Sequence, residues 1–152
     1  MKVCIRVILL CCLALTVVAC SKPAKEIKAG RYGMMSDETP QYAALVFIMA
    51  IYEEESLDEA LKYASPKLSR LMKSYHTNSG VQRHLLNLRL DEMVVEPVSG
   101  GFQGITEFKK EASVDVKISG TYNNKRIIDL KTISMVKISG DWKITGIKNT
   151  IP

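Results

Sequence analysis

The apolar positions after residue 39 begin with an uninterrupted run that predicts a buried helix. Residues 43–52 are all apolar, and the run is too short to span a bilayer, which takes about 20 residues. A helix that is apolar on all sides is usually buried on all sides. Thr39 and Pro40 come before the run and supply a helix cap and a first-turn proline. The pattern therefore predicts a core helix that starts at Pro40 and is surrounded by other elements.

Shorter helices are predicted to follow, each with its own start signal. Ser56 with Glu59 three residues later forms a capping-box pattern, and Ser65 repeats the cap before a proline. Residues 77–80 predict a break, and residues 81–85 predict a further helical turn. Apolar residues at helical spacing continue the two capped helices: Leu57, Ala60, Leu61 and Ala64, then Leu68, Leu71, Met72 and Tyr75.

From Leu86 onward the apolar residues alternate with polar ones, which predicts β-strands. The first strand changes phase after Leu90, which predicts a bulge near residues 91–92. Residues 97–104 predict a glycine-rich loop, and tight turns are predicted at residues 123–124 and 140–141. The result is an antiparallel meander of about four strands. Helices followed by such a meander predict an α+β domain, with the helices packed on a curved sheet.

The predicted inward face of the meander supplies the candidate pocket. In the third strand the alternation assigns Thr132 and Ser134 to the inward face, together with Ile128, Leu130, Val136 and Ile138. Pockets are mostly apolar and carry a few placed polar groups, so the two hydroxyls are candidates to line one. Glu92 is a further candidate, if the bulge turns its side chain inward. The alternative is that Thr and Ser are ordinary strand residues.

Few residues offer other chemistry. Asp115 and Asp129 fall on the phase opposite to the inward face, which argues against a catalytic acid inside the domain. His76 and His84 are the only histidines and have no acidic or cysteine cluster at ligand spacing, so we expect neither a metal nor a cofactor. Phe102 lies in the predicted glycine-rich loop, where it is a candidate contact for a partner or a membrane.

The N-terminus has the parts of a removable export signal. Lys2 and Arg6 precede an uncharged, mostly apolar segment at residues 7–19, which is shorter than a membrane span. Its end, Val-Val-Ala followed by Cys20, resembles the signal of bacterial lipoproteins. The resemblance implies cleavage after Ala19 and lipid on Cys20, and therefore attachment to a membrane. An ordinary secretory signal with a chance cysteine, or a retained membrane helix, are the alternatives.

Cysteine usage and charge agree with an exported, lipid-anchored domain. The four cysteines are Cys4, Cys11, Cys12 and Cys20, so the mature chain has no pair with which to form a disulfide. The formal charge falls from +5 to +3 when Lys2 and Arg6 are removed, which is too small to favour nucleic-acid binding. We therefore expect a signal at residues 1–19, a tether at 20–39 and one domain at 40–152.

Beyond the signal, the chain resembles the nuclear-transport-factor-2-like superfamily, especially its small exported lipoproteins. The resemblance covers about residues 40–151 and rests on the buried first helix, on residues 57–66 and on the ending Gly-Asp-Trp-Lys-Ile-Thr at residues 140–145. It implies a bent sheet that wraps the first helix into a cone, which is open in some members and filled in others. The hairpin that many members carry between the second and third helices is missing here.

Two classes of function follow from these patterns. The first is a non-enzymatic binding or interaction lipoprotein, whose partner would be an envelope protein or a small apolar ligand. The second is an enzyme or ligand carrier that uses the interior of the cone. Ser21, rather than aspartate, follows Cys20, which resembles the default for outer-membrane lipoproteins. The expected location is therefore the periplasmic face of a bacterial outer membrane, with the inner membrane as the alternative.

Overall fold

The structure, a computed structural model, describes residues 38–103 and 110–150, and for residues 99–103 it describes the backbone only. These residues belong to one compact unit, Met34–Pro152. Cys20, the predicted export signal and most of the predicted tether lie outside the described residues.

Helices come first in the described chain and strands follow. The helices are α1 (Pro40–Glu53), α2 (Asp58–Tyr63), α3 (Pro66–Ser74) and α4 (Asn78–His84). The strands are β1 (Glu92–Gln103), β2 (Glu111–Tyr122), β3 (Lys125–Ile138) and β4 (Asp141–Asn149). They form one antiparallel sheet in the order β1-β2-β3-β4. The predicted α+β class and the meander of about four strands are confirmed.

Helix α1 is the centre of the core. Thr39 caps it by accepting a hydrogen bond from the Tyr42 backbone N–H at 3.3 Å, and Pro40 occupies the first turn. The helix packs against β1, β2 and β4. Phe47, with no exposed surface, is among its most completely buried residues. The predicted start and burial of this helix are confirmed, and none of the described helices is both long enough and apolar enough to cross a membrane.

The capping-box prediction at Ser56 is wrong. The second helix begins later, with Leu57 at the cap position and no side-chain cap. Ser56 Oγ instead donates to Asp58 Oδ2 at 3.0 Å and accepts from the Asp58 backbone N–H at 3.3 Å. A serine with an aspartate two residues later forms this local turn in competition with a helix cap.

The caps of α3 and α4 follow the expected chemistry, but α4 starts inside the predicted break. Ser65 Oγ accepts from the Leu68 N–H at 3.4 Å, as predicted. The Ser65 backbone N–H also donates to the Ile144 carbonyl at 2.8 Å, which ties the helices to β4. Thr77 caps α4 by accepting from the Gly80 N–H at 3.0 Å. The polar stretch that was predicted to break the helices is therefore a helix start.

The first strand differs most from its prediction. The segment from Leu86 to Leu90 buries alternate leucines but forms no strand, and β1 begins only at Glu92. The irregularity in its pairing lies between Pro97 and Phe102 rather than near residue 91. Residues 97–103, predicted to be loop, belong to the strand.

The β2–β3 hairpin confirms the predicted tight turn. Asn123 and Asn124 have φ angles of 50° and 62° and join Tyr122 to its partner Lys125. Two positive φ angles are typical of a two-residue hairpin turn, and asparagine tolerates them. The second turn uses Ser139 and Gly140, with φ angles of 53° and 98°, one residue earlier than predicted.

The predicted facing of β3 is wrong. Ile133 and Met135 are the buried apolar residues of this strand, with 0% and 1% exposure, whereas Ile128 and Leu130 are exposed. The reason is the register with β2, which places Ile133 beside Val114, a core residue. Apolar residues occur on both phases of β3, so alternation alone could not choose between its faces.

Candidate functional site

Thr132 and Ser134 lie on the outer face of the sheet, away from the helices. Thr132 pairs with Asp115 across β2 and β3, and its hydroxyl donates to Asp115 Oδ1 at 2.6 Å. A second contact, at 2.9 Å, joins it to the Thr150 hydroxyl. The expectation that Thr132 and Ser134 face the interior is wrong because the register turns the opposite phase of β3 inward.

The remaining predicted site residues do not meet in one place. Glu92 is exposed on the outer face, because its neighbour Met93 and not Glu92 shares the phase of buried Val95. The backbone of Phe102 pairs with Val114 inside β1 rather than at a loop tip, and its side chain lies outside the described residues. Cys20 also lies outside them.

The two histidines belong to no candidate metal site in the described part of the chain. The ring of His84 stacks on Tyr75, with centroids 5.3 Å apart, and His76 is exposed with a φ angle of 65°. Among residues 38–98 and 110–150, no group of three or more His, Cys, Asp or Glu side chains is placed to hold a metal ion.

The inner face of β3 carries a lysine that the sequence assigned to the outside. Lys131 is 2% exposed, and its Nζ donates to Asn149 Oδ1 at 2.5 Å and lies 2.8 Å from Asp129 Oδ2. A buried charge is stable only when it is paired and hydrogen-bonded. Asp129, whose side chain is 31% exposed, supplies that charge.

Tyr52, near the C-terminal end of α1, completes this group, which we call the interior cluster (Lys131, Asp129, Asn149 and Tyr52). The Tyr52 hydroxyl donates to the Leu88 carbonyl at 2.8 Å. Burial raises the pKa of this hydroxyl, and the negative charge of Asp129 raises it further. The phenol therefore remains protonated at neutral pH and acts as a hydrogen-bond donor rather than as a base.

Asp129 faces the interior, contrary to the expectation from alternation, and another signal in the sequence indicates this facing. Counting outward from the two-residue turn at Asn123 and Asn124 brings Asp129 opposite Ile118 and Lys131 opposite Val116. Side chains that face each other across a strand pair lie on the same side of the sheet. Val116 and Ile118 belong to the apolar phase of β2, which is expected to face inward, so Lys131 and Asp129 must face inward too.

A second polar site lies where α1 begins and β3 turns into β4. It is an open cleft of about 660 Å³, which lies within the range of small-molecule sites. Its aromatic and basic residues define what we call the lysine cleft: Tyr42, Tyr63, Trp142, Lys62, Lys137 and Lys143. The sequence did not indicate this cleft, because its residues come from four elements, α1, α2, β3 and β4, that only the folded chain brings together.

Contacts within the protein hold the walls of the lysine cleft in place. The Trp142 indole N–H donates to the Glu38 carbonyl at 3.0 Å. Lys137 Nζ lies 5.7 Å from the centroid of the Trp142 ring, within cation–π distance. Lys143 Nζ donates to the Lys62 carbonyl at 2.8 Å and lies 3.2 Å from Asp141. Two ammonium groups are therefore positioned at this cleft before any ligand arrives.

Comparison with known proteins supports the fold and names no function. No family model matches the chain, and no curated protein matches it. A solved structure that does match is a designed nuclear-transport-factor-2-like protein, at 11% sequence identity and a TM-score of 0.51. The match covers 72% of this chain and 95% of the designed one. The fold is therefore nuclear-transport-factor-2-like, with helices packed against a four-stranded open sheet.

Proposed function

We propose that the mature chain is a lipoprotein of the bacterial cell envelope that displays a non-enzymatic binding domain. Lipid on Cys20 anchors it to the periplasmic face of the outer membrane. The export signal and the Val-Val-Ala-Cys ending at Cys20 support the anchor. Helix α1 begins only at Pro40, which leaves a tether between the anchor and the first core element.

The observation that carries the binding role is the filled centre of the fold. Phe47, Ile48 and Ile51 of α1 have no exposed surface, and side chains of β2 and β3 on the inner face are equally buried: Val116, Ile118 and Ile133. An enzyme of this size needs a cavity in which a substrate meets its catalytic groups. Within the described residues, close packing around Phe47 favours the outer surface and the lysine cleft as the places for recognition.

The anchor is tested by replacing the cysteine. Cys20→Ser should give unprocessed precursor or protein that is released from membranes, because stable attachment requires more than one acyl chain. Cys12→Ser, a cysteine in the predicted signal, is the matched control and should be processed and retained like the wild type. Intact-mass analysis of the membrane fraction is the measurement. A free Cys20 thiol or an uncleaved signal in the wild type would contradict the proposal.

The interior cluster favours a second candidate, a ligand carrier or enzyme that uses the inside of the domain. Lys131, Asp129 and Tyr52 combine an ammonium, a carboxylate and a phenol on the inner side of the fold, and such groups recur at functional sites. In this structure the ammonium and the carboxylate are bound to each other, so neither is presented to a substrate.

A hydrophobic dye separates the two candidates. A filled interior offers no apolar cavity, so any saturable fluorescence increase of anilinonaphthalene sulfonate with the native protein near neutral pH should arise at the lysine cleft. It should be lost in Lys137→Gln and kept in Lys131→Met. The full-length protein would be studied in a detergent below its micelle-forming concentration, with lysozyme as a compact control. A saturable increase that Lys131→Met abolishes would favour the second candidate.

A further inference from the structure

We propose that the lysine cleft binds a small organic anion, a phosphate or carboxylate carried on a ring or a short polar chain. The anionic group is bound by Lys137 and Lys143, and the organic part lies along Tyr42 and Tyr63. This inference rests on the proposed binding role and gives it a site and a ligand chemistry.

The state of Lys137 is the first observation behind this assignment. Lys137 is exposed, and within the described residues its ammonium has no carboxylate partner at ion-pair distance. The Trp142 ring beside it orients the ammonium without neutralising its charge. A positioned cation with unused N–H donors forms a charge-assisted hydrogen bond with an anion.

Lys143 provides the second cation from the neighbouring strand. Val136 and Lys143 are paired across β3 and β4, next to the pair formed by Lys137 and Trp142. Lys143 keeps its ammonium near the cleft through the Lys62 carbonyl, and its contact with Asp141 is at 3.2 Å. Because the Asp141 side chain is 72% exposed, an arriving anion competes with a weak, solvated ion pair.

The lining carries three lysines against two carboxylates, Glu38 and Asp141, and its two tyrosines suit the uncharged part of the ligand. Tyr42 and Tyr63 are half-buried, and tyrosines present an apolar ring together with a polar hydroxyl. The volume of about 660 Å³ exceeds what inorganic phosphate alone would fill. Two sources carry this chemistry, a free solute such as a sugar phosphate and the phosphate of a lipid headgroup.

Trp142 provides a direct readout, because it is the only tryptophan in the chain. Full-length, nitrogen-labelled protein in a non-ionic detergent is titrated with ribose phosphate, with ribose and inorganic phosphate as separate arms. Vesicles of phosphatidylcholine, with and without phosphatidylglycerol, are a further arm. We expect ribose phosphate or the phosphatidylglycerol vesicles to shift the indole N–H resonance of Trp142 saturably, and we expect no shift with ribose. A response to ribose phosphate assigns the free solute, and a response to the anionic vesicles alone assigns the headgroup.

Two matched variants test whether the cleft is the site. Lys137→Gln should raise the apparent Kd about tenfold, as expected for one lost charge-assisted hydrogen bond. Lys125→Gln removes an equal charge from the other end of β3, where Lys125 is also exposed, and should change the Kd less than about twofold. Equal weakening in both variants would mean that only net charge matters and would overturn the site. The site is also overturned if no phosphate-bearing probe shifts the Trp142 resonance, or if ribose shifts it as much as ribose phosphate does.

Failure of this inference is distinguishable from failure of the proposed anchor. The titration reads Trp142 and gives the same answer whether or not Cys20 carries lipid. If Cys20 carries lipid and no probe binds the lysine cleft, the proposed anchor stands and only this ligand site is ruled out.

Discussion

The middle and the C-terminal end of β3 carry the same residue type on the inner face of the sheet, in different environments. Lys131 is 2% exposed and bound to Asp129 and Asn149. Lys137 is exposed, and its ammonium lies near the Trp142 ring. Both lysines occupy the same phase of one strand, with buried Ile133 and Met135 between them.

The difference shows that burial, rather than residue type, decides what a lysine does in this fold. A buried ammonium must have its partners supplied by the protein, so the contacts of Lys131 are already complete. An exposed ammonium keeps donors for a ligand, so Lys137 is available for recognition. Lys131, in the middle of β3, therefore has a structural role, and Lys137, near its C-terminal end, has a binding role.

The largest expected effect is the loss of folding stability when the buried core is truncated at Phe47. Phe47→Ala should destabilise the protein by about 3–5 kcal/mol, because it empties a fully packed site. Ile128→Ala is the control, since Ile128 is 57% exposed, and it should cost about 0.5 kcal/mol or less. Urea unfolding monitored by circular dichroism measures both. A Phe47→Ala variant within about 1 kcal/mol of the wild type would show that the interior is not filled.

The next largest effect tests the structural role of Lys131 in the middle of β3. Asp129→Asn should cost about 1–3 kcal/mol, because it leaves the Lys131 charge buried without its counter-charge. Adding Lys131→Met to this variant should recover part of the loss, since the unpaired charge is then removed. Glu96→Gln breaks an exposed ion pair with Lys117 and should cost less than about 1 kcal/mol. If the double variant is less stable than Asp129→Asn alone, the charge of Lys131 is not the cause.

A smaller effect with a defined pH dependence concerns Tyr52. Its pKa is raised by burial and by Asp129, so the folded protein holds this proton more tightly than the unfolded chain does. The stability from this proton is fully present below the unfolded-state pKa of about 10 and is lost as pH rises above it. Tyr52→Phe should cost about 0.5–1.5 kcal/mol at neutral pH through its lost hydrogen bond and should lessen the alkaline decline. Urea midpoints between about pH 9 and about pH 11 measure this, and an unchanged decline in the variant would contradict it.

The smallest effect on stability is expected at Lys137, near the C-terminal end of β3. Lys137→Gln should change the free energy of unfolding by about 0.5 kcal/mol or less, because an exposed cation–π contact contributes little. The same variant should bind the phosphate-bearing probe about tenfold more weakly. Changes at Lys131 should therefore affect mainly stability, and changes at Lys137 mainly binding. A loss of stability above about 2 kcal/mol in Lys137→Gln would contradict the contrast between Lys131 and Lys137, since substitutions at exposed positions rarely cost so much.

Local sequence signals determined the class of the fold and several of its fixed points. The cap at Thr39, the cap at Ser65 and the asparagine turn at residues 123–124 depend on residues a few positions apart. The burial of α1 follows from its uninterrupted apolar run. These features are readable from sequence because the interactions that cause them are contained within one turn or one helix.

Pairing with β2, rather than alternation along β3 itself, decided which face of β3 is buried, and tertiary packing alone decided where the polar groups of the lysine cleft meet. Apolar residues occupy both phases of that strand, so its facing depends on pairing with β2, which places Ile133 beside Val114 and turns Lys131 inward. The lysine cleft likewise requires α1, α2 and the β3–β4 hairpin to pack together. Alternation along one strand cannot encode such contacts, because they are set by the register and packing of segments that are distant in the chain.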